Sequence, residues 1–159
     1  MQFEIVQIED LSGEAAKIYS VALEKDELSL LDHFVRDNLD HAAEVRRMIR
    51  KLSIMGHETG CRAEYFKPNE GAPGDGMVAF RYRQMRLYCL RFDNTCIFVG
   101  SGGYKPPGIA AYQEDESLNG KAQQMRNICA SINRAIREKD LRISSDGNIE
   151  ISSFIRLEI

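Results

Sequence analysis

Five positively charged side chains fall within one stretch of the sequence, from Met77 to Tyr112, and a single acid, Asp93, accompanies them. They are Arg81, Arg83, Arg86, Arg91 and Lys105. The stretch carries a local charge of +4, although the net charge of the protein is −3. Guanidinium groups bind phosphate through paired donors, and a neighbouring lysine can transfer a proton or stabilise negative charge. This combination predicts a binding site for phosphate groups.

Aromatic residues accompany these cations. Tyr104 and Tyr112 can stack on unpaired bases, so the stretch contains the components of a single-stranded RNA site. The competing interpretation is that arginines at alternate positions of an exposed strand only keep the protein soluble. The run Gly100–Gly103 lacks the GK[ST] ending of a phosphate-binding P-loop, so no nucleotide cofactor is predicted.

The same stretch is predicted to form two or three consecutive strands and a glycine-rich turn, because β-branched and aromatic residues dominate it. Side chains along its first strand alternate between two faces. One face carries Val78, Phe80 and Tyr82, and the other carries Ala79, Arg81 and Arg83. We expect the first face to be core and the second to be cationic. Arg86 begins the next strand and is also expected to face solvent.

The remaining elements are predicted from apolar periodicity and from capping and turn residues. Before the cationic stretch we predict a strand over 2–8, helices over 12–23, 26–39 and 42–55, a strand over 61–68 and a loop over 69–76. After it we predict a helix over 116–139 and a hairpin within 140–159. Ser12 is expected to cap the first helix and Gly56 to end the third.

The third helix also has an outward basic stripe, consisting of Arg46, Arg47, Arg50 and Lys51. We interpret it as a solvated face, with contact to an acidic partner or nucleic acid as the alternative. The strand runs are linked by turns too short for parallel crossovers, which favours an antiparallel sheet. Segregated helices and strands indicate an α+β fold, and the length of 159 residues indicates a single domain spanning 1–159.

The sequence predicts neither a metal site nor a membrane-spanning segment. The cysteines, which show neither a CxxC pair nor zinc-site spacing, are Cys61, Cys89, Cys96 and Cys129. We expect them to be reduced, with Cys89 and Cys129 on core faces. The histidines, His33, His41 and His57, are scattered through the helical region. The N-terminus has no basic segment followed by an apolar run, and no window approaches 18 apolar residues, so we expect a cytoplasmic protein.

The order of amphipathic helices, turn-linked strands and a closing helix resembles the RelE/HigB/ParE superfamily of bacterial toxins from type II toxin–antitoxin systems. Arg86-Leu87-Tyr88 matches an arginine-led apolar strand of that superfamily. Gly103-Tyr104-Lys105 matches the glycine, aromatic residue and lysine that end its next strand. The element order extends over about residues 1–138. The sequence motifs themselves extend from Phe80 to Pro107.

The resemblance implies a RelE-like fold, in which an antiparallel sheet has N-terminal helices on one side and a C-terminal helix. It also implies an endoribonuclease that cleaves mRNA on the ribosome, needs no metal or other cofactor, and is neutralised by an antitoxin protein. In such enzymes the 2′-hydroxyl of the substrate attacks the adjacent phosphate. The protein must then supply a base, an acid and stabilisation of the extra negative charge.

Site residues follow from the same resemblance. Arg86 would stabilise the phosphorane, and Lys105 would transfer a proton or stabilise charge. Arg83 and Tyr112 complete the implied catalytic set, with Tyr112 as the counterpart of a late tyrosine in the family. The residues expected to bind RNA are Arg81, Arg91 and Tyr104.

Three features depart from the family pattern. The chain is net acidic, Pro106 stands where a second lysine is usual, and a tail follows the region that corresponds to the toxin core. Two alternatives to the nuclease therefore stay open. One is a ParE-like protein that inhibits DNA gyrase without cleaving RNA, and the other is a protein that uses the fold only for binding.

If the cationic stretch binds RNA or the ribosome, the affinity should fall steeply as salt concentration rises, because each phosphate contact releases counterions. For single-stranded RNA the expected slope of log affinity against log salt is about −0.7 for each phosphate contacted. Titrations of fluorescent RNA at several salt concentrations measure this slope. Binding that is indifferent to ionic strength would indicate a protein partner instead.

Overall fold

The computed structural model describes residues 2–68, 76–107, 116–152 and 157–158, and it has a mixed α+β architecture. Its strands are β1 (Gln2–Gln7), β2 (Lys17–Leu23), β3 (Phe66–Pro68), β4 (Met77–Tyr82), β5 (Met85–Phe92), β6 (Cys96–Tyr104), β7 (Leu141–Ile143), β8 (Ile149–Ile151) and β9 (Leu157–Glu158). Its α-helices are α1 (Leu30–Asp37), α2 (Ala42–Ile54) and α3 (Glu116–Arg137). The α+β class predicted from the sequence is thus confirmed.

Seven strands form one sheet in the order β3-β4-β5-β6-β2-β1-β9, and β7 and β8 form a separate hairpin. β4, β5 and β6 are a continuous antiparallel meander, and β1 and β2 are an antiparallel pair. The two groups join where β2 runs parallel to β6 over three residues of each strand. The prediction of an antiparallel sheet is wrong at this junction, because α1 and α2 lie in the long connection that parallel strands require.

Helices cover both faces of the sheet. On one face α3 packs its buried side chains Met125, Cys129 and Ile132 with Tyr88, Leu90 and Phe98 of the sheet. On the other face α1 and α2 contribute Phe34, Met48 and Leu52, which pack with Phe80, Leu87 and Ile97. The N-terminal helices therefore lie on one side, as expected, and α3 occupies the opposite side.

This arrangement corrects the prediction that one face of β4 is core and the other cationic. Ala79 is buried on the α3 side, in the same core as Met77, and only Arg81 farther along the strand is exposed. The central strands are apolar on both faces because each face has a helix to cover it. Positive charge is consequently confined to the end of the strand.

α1 lies at a split between two strands. The pairing of β2 with β6 ends at Tyr19 and Phe98, and the next residue, Ser20, bridges the gap. Its hydroxyl donates to the carbonyl of Val99 at 2.7 Å and accepts from the backbone N–H of Leu31 at 3.2 Å. α1 therefore packs against the part of β6 that β2 leaves unpaired.

The helix predicted over 12–23 is wrong. Most of that segment is β2, which pairs with β1 on one edge and with β6 on the other. Ser12 begins no α-helix; its hydroxyl donates to Ile8 O and accepts from Ile18 N, both at 2.9 Å, which holds the connection between β1 and β2. Isoleucine, tyrosine and valine favour strands, and pairing partners on both edges determine the outcome here.

The other helices are confirmed with shifted boundaries. α1 begins at Leu30 because Ser29 and Asp32 form a reciprocal capping box at its N-terminus. α2 does not end at Gly56. It continues through a π-helical turn at Met55–Thr59, and Gly60 ends it with a φ of 80°.

The strand predicted over 61–68 is shortened to β3, and the hairpin near the C-terminus is confirmed as β7 and β8. Residues 69–75 of the predicted loop lie outside the described residues.

All four cysteines are buried free thiols, as expected for reduced side chains. Among the helices that the structure describes, none combines the length and the apolar character needed to cross a membrane.

Gly56 should tolerate no side chain. A Cβ there would lie 1.8 Å from the carbonyl oxygen of Leu11, and the carbonyl of Gly56 accepts hydrogen bonds from the N–H groups of Ala15 and Ala16. Gly56→Ala should therefore lower the free energy of unfolding by about 1–3 kcal/mol, measured by urea denaturation.

Gly120 of α3 is the matched control, because among the described residues no atom beyond the helix's own neighbouring backbone lies within 4 Å of the Cβ position there. Gly120→Ala should raise stability by about 0.5–1 kcal/mol through helix propensity alone. Equal effects of the two substitutions would contradict the close packing of the β1–β2 connection on the end of α2.

Candidate phosphate-binding site

The candidate site lies at one end of β4, β5 and β6. Arg81 of β4 is paired with Arg86 of β5, and Arg86 is paired with Gly103 of β6, so these residues form one row across three strands. The turn between β4 and β5 closes this end, and the backbone N–H of Lys105 donates to Gln84 O in that turn at 2.8 Å. The fold therefore brings Arg81, Arg86 and Lys105 to the same end of the sheet.

Arg86 is not solvent-facing, which corrects the sequence-based expectation. Its side chain is largely enclosed, with the residue only 9% exposed, and Nη1 donates to Arg83 O at 2.7 Å and Met85 O at 2.9 Å. Burial lowers the pKa of Arg86, and the charge of Arg81 adds to this effect. The guanidinium is thus held in a fixed orientation by backbone carbonyls.

Arg81 and Arg83 occupy different environments. Arg81 is exposed on β4, whereas Arg83 lies beyond the strand, in the turn, with a φ of 52°. Its guanidinium carbon lies 5.5 Å from the centre of the Tyr82 ring, a cation–π contact. The prediction that Arg83 continues the cationic face of the strand is therefore wrong, because the chain has already turned.

Tyr104 is only partly free to stack on a base. The imidazole ring of His41 lies parallel to its phenol ring, with centroids 4.3 Å apart and planes 7° apart. One face of the predicted stacking platform is therefore covered from within the protein. Tyr112 lies outside the described residues.

Arg91 does not belong to this site. It follows Arg86 by five positions along β5, which corresponds to about 17 Å. Its guanidinium donates to Cys61 O and to the side-chain oxygen of Asn94, so it holds two connecting segments together. β5 thus carries Arg91 to the opposite end of the sheet from Arg81 and Arg86, where it has a structural role, and its role in RNA binding stays a prediction.

Two residues that sequence reasoning missed also lie at the cationic end. Lys121 of α3 donates from Nζ to Gly102 O at 3.0 Å. Asn38, at the end of α1, is buried and donates from Nδ2 to Phe34 O at 2.7 Å. A signal for Lys121 exists in the sequence, since it follows buried Leu118 by three positions and precedes buried Met125 by four. It is thus a lysine on the inner stripe of a helix.

The positive charges at this end are uncompensated within the described part of the chain. None of the cations named there forms an ion pair with a described carboxylate; they are Arg81, Arg83, Arg86, Lys105 and Lys121. Like charges directly opposite each other on neighbouring strands are destabilising, which applies to Arg81 and Arg86. A bound anion would relieve this repulsion.

No protein-family model, curated protein or solved structure matches this chain. The toxin superfamily, the nuclease activity and the roles of its residues therefore stay predictions.

The burial of Arg86 reverses the expectation that truncating it would leave the fold intact. Arg86→Ala should lower the free energy of unfolding by about 1–3 kcal/mol, since two hydrogen bonds from a charged group to enclosed carbonyls are lost. Arg81→Ala removes an exposed side chain and should change stability by less than about 0.5 kcal/mol. Chemical denaturation of both variants measures the difference. Equal stability of the two variants would show that the hydrogen bonds of Arg86 do not hold the turn.

Proposed function

We propose that this protein is a RelE/HigB-like toxin of a type II toxin–antitoxin system, a metal-independent endoribonuclease that cleaves mRNA on the ribosome. The observation that carries the proposal is the row formed by Arg81 and Arg86 at the end of the sheet, with Lys105 at the end of the adjoining strand. These cations have no described carboxylate partner. A phosphodiester supplies the anion that such a row requires.

The arrangement of elements supports this proposal. The chain runs from the β1–β2 pair through α1 and α2 to β3, the meander β4–β6 and α3, and the part of this order from the helices through the meander to the closing helix agrees with what the resemblance implies. Both family-like motifs also end at the same place. Arg86 is the second residue of β5, and Gly103 and Tyr104 end β6 directly beside it, with Lys105 following.

In the proposed reaction the 2′-oxygen of one nucleotide attacks the adjacent phosphorus, and the bond from phosphorus to the 5′-oxygen of the next nucleotide breaks. The products are a 2′,3′-cyclic phosphate and a 5′-hydroxyl. A proton leaves the 2′-hydroxyl and another reaches the departing 5′-oxygen. Arg86, held by two carbonyls, would stabilise the charge of the phosphorane together with Arg81, and Lys105 would transfer a proton or stabilise charge.

A non-catalytic, ParE-like protein that binds a protein target is the second candidate, and two observations favour it. The Nη1 group of Arg86 is already occupied by backbone carbonyls, and Tyr104 is covered on one face by His41. Both contacts reduce what these side chains can offer to RNA. A protein partner requires only an accessible charged surface, which Arg81 and Arg83 provide.

A cleavage assay with purified protein distinguishes the two candidates, and RNA without ribosomes is the control that shows whether cleavage depends on the ribosome. The wild-type protein should cut mRNA on purified ribosomes in the presence of a metal chelator, and the cut ends are mapped by primer extension. Arg81→Gln and Lys105→Gln should each slow cleavage, with about 100- to 1000-fold expected where a single charge-stabilising group is lost. Both variants should unfold at the wild-type midpoint, because Arg81 is exposed and Lys105 pairs through its backbone.

Arg142→Gln serves as the matched control, since Arg142 is an exposed arginine on a strand of the separate hairpin. It should leave the cleavage rate unchanged. Growth arrest on induced expression without any new mRNA ends would overturn the nuclease proposal and favour the protein-binding candidate. A gyrase supercoiling assay with the purified protein would then test the ParE-like target. Inhibition of supercoiling would identify gyrase as the target, and unchanged supercoiling would exclude it.

A further inference from the structure

A cavity of about 360 Å³ lies between the C-terminal part of α2 and β4, beside the segment that leads into β3. Sites for small ligands have volumes of about 300–1,000 Å³, so this cavity has room for one nucleotide. It is partly open to solvent. One unit of a longer molecule can therefore enter it while the rest of that molecule stays outside.

Apolar and aromatic side chains form much of the wall. Met55 and Phe80 are buried in the core on the α2 side of the sheet, and Tyr65 is half-buried beside them. Ile54 also lines the cavity, and 38% of its surface is exposed. A flat ring can cover this apolar surface, and aromatic walls favour stacking with a base.

Two cations, Lys51 of α2 and Arg81 of β4, line the same cavity. Neither forms an ion pair with a described carboxylate. Glu64 lines the cavity as well, but its Oε1 lies 3.8 Å from Nη1 of Arg62. Positive charge therefore exceeds negative charge around the cavity, which favours an anionic ligand.

The cavity adjoins the candidate phosphate-binding site. Arg81 lines the cavity and is also paired with Arg86 across β4 and β5. Lys51 Nζ lies 5.9 Å from the centre of the Tyr82 ring, and the guanidinium carbon of Arg83 lies 5.5 Å from the same point. Lys51 is thus held next to the turn that closes the end of the sheet.

We propose that this cavity binds one base of the RNA, in the nucleotide whose phosphate contacts Arg81, and that Lys51 contacts the adjoining phosphate backbone. The assignment rests on the proposed function and adds a position for a base to a site that otherwise offers contacts to phosphate. A base with attached phosphate combines the flat ring and the negative charge for which the cavity is lined. Lys51 belongs to the basic stripe of α2, so one residue of that stripe would contact nucleic acid.

The test records NMR spectra of the whole protein with isotope-labelled isoleucine and methionine methyl groups. The ligand is a single-stranded 2′-O-methyl RNA, which lacks the attacking hydroxyl and stays intact. Its ring current should shift the signals of Ile54 and Met55, because both residues line the cavity. The signal of Met125, which is buried on the α3 side, should stay in place. An abasic strand of the same length should bind more weakly and leave all three signals unchanged.

Ile54→Ala and Val35→Ala are matched variants for affinity measurements. Both residues are 38% exposed, but Val35 lies on α1, which contributes no described residue to the cavity. Ile54→Ala should weaken binding of the base-containing RNA several-fold and leave binding of the abasic strand unchanged, because only a base covers the lost apolar surface. Val35→Ala should change neither affinity. Lys51→Gln should weaken binding of both strands, since it removes a contact to phosphate.

The outcomes separate this inference from the proposed function. A wild-type protein that binds neither strand overturns both. If both strands bind equally and the signals of Ile54 and Met55 do not move, the cavity holds no base, and the proposed function stands on its phosphate contacts. Equal shifts with both strands would also overturn the inference, because the abasic strand has no ring.

A nucleoside monophosphate provides the last arm of the test. Shifts of the Ile54 and Met55 signals with this ligand but not with RNA would assign the cavity to a free nucleotide and overturn its place in the RNA site. Shifts that occur only on addition of a protein partner would assign the cavity to a protein contact instead.

Discussion

The short parallel contact between β2 and β6 is the constraint on which the rest of the structure depends. Three residues of each strand pair, and among the described strands this contact alone joins the β1–β2 pair to the β4–β6 meander within the sheet. Parallel pairing requires a long crossover, so α1 and α2 must pass over one face before the chain returns as β4 to β6. The path of the helices follows from this pairing.

The contact also ends early, and its end determines what lies beside the site. Where the strands separate, the hydroxyl of Ser20 hydrogen-bonds to the carbonyl of Val99 and to the N–H of Leu31. From there α1 occupies the space along β6. The end of α1 then reaches Gly103, and the residues that follow it bring His41 onto Tyr104. The site is therefore built partly from the crossover and not only from the sheet.

Glycines allow β5 and β6 to approach closely at the cationic end. A Cβ at Gly102 would lie 1.8 Å from the carbonyl oxygen of Arg86, so no larger residue fits without moving the strand that carries this arginine. The register of the two strands shifts between Leu87 and Cys89, just beyond this position. Glycine 102 thus has a packing role, whereas Gly103 leaves space that a methyl group would fill at normal contact distances. The predicted glycine-rich turn is a pair of closely packed strands.

The sequence by itself determined the meander, the helices α1, α2 and α3 and the charge concentrated in Met77–Tyr112, because alternation along strands and helical spacing are local properties. It also identified Arg81, Arg86 and Lys105, whose proximity follows from strands joined by short turns. Only the tertiary structure decided that Lys17–Leu23 is a strand, since its partners on both edges lie elsewhere in the chain. Tertiary packing likewise buried Arg86, moved Arg91 to the opposite end and brought Lys121 from α3 over Gly103. These outcomes depend on contacts between residues far apart in sequence, which no local pattern encodes.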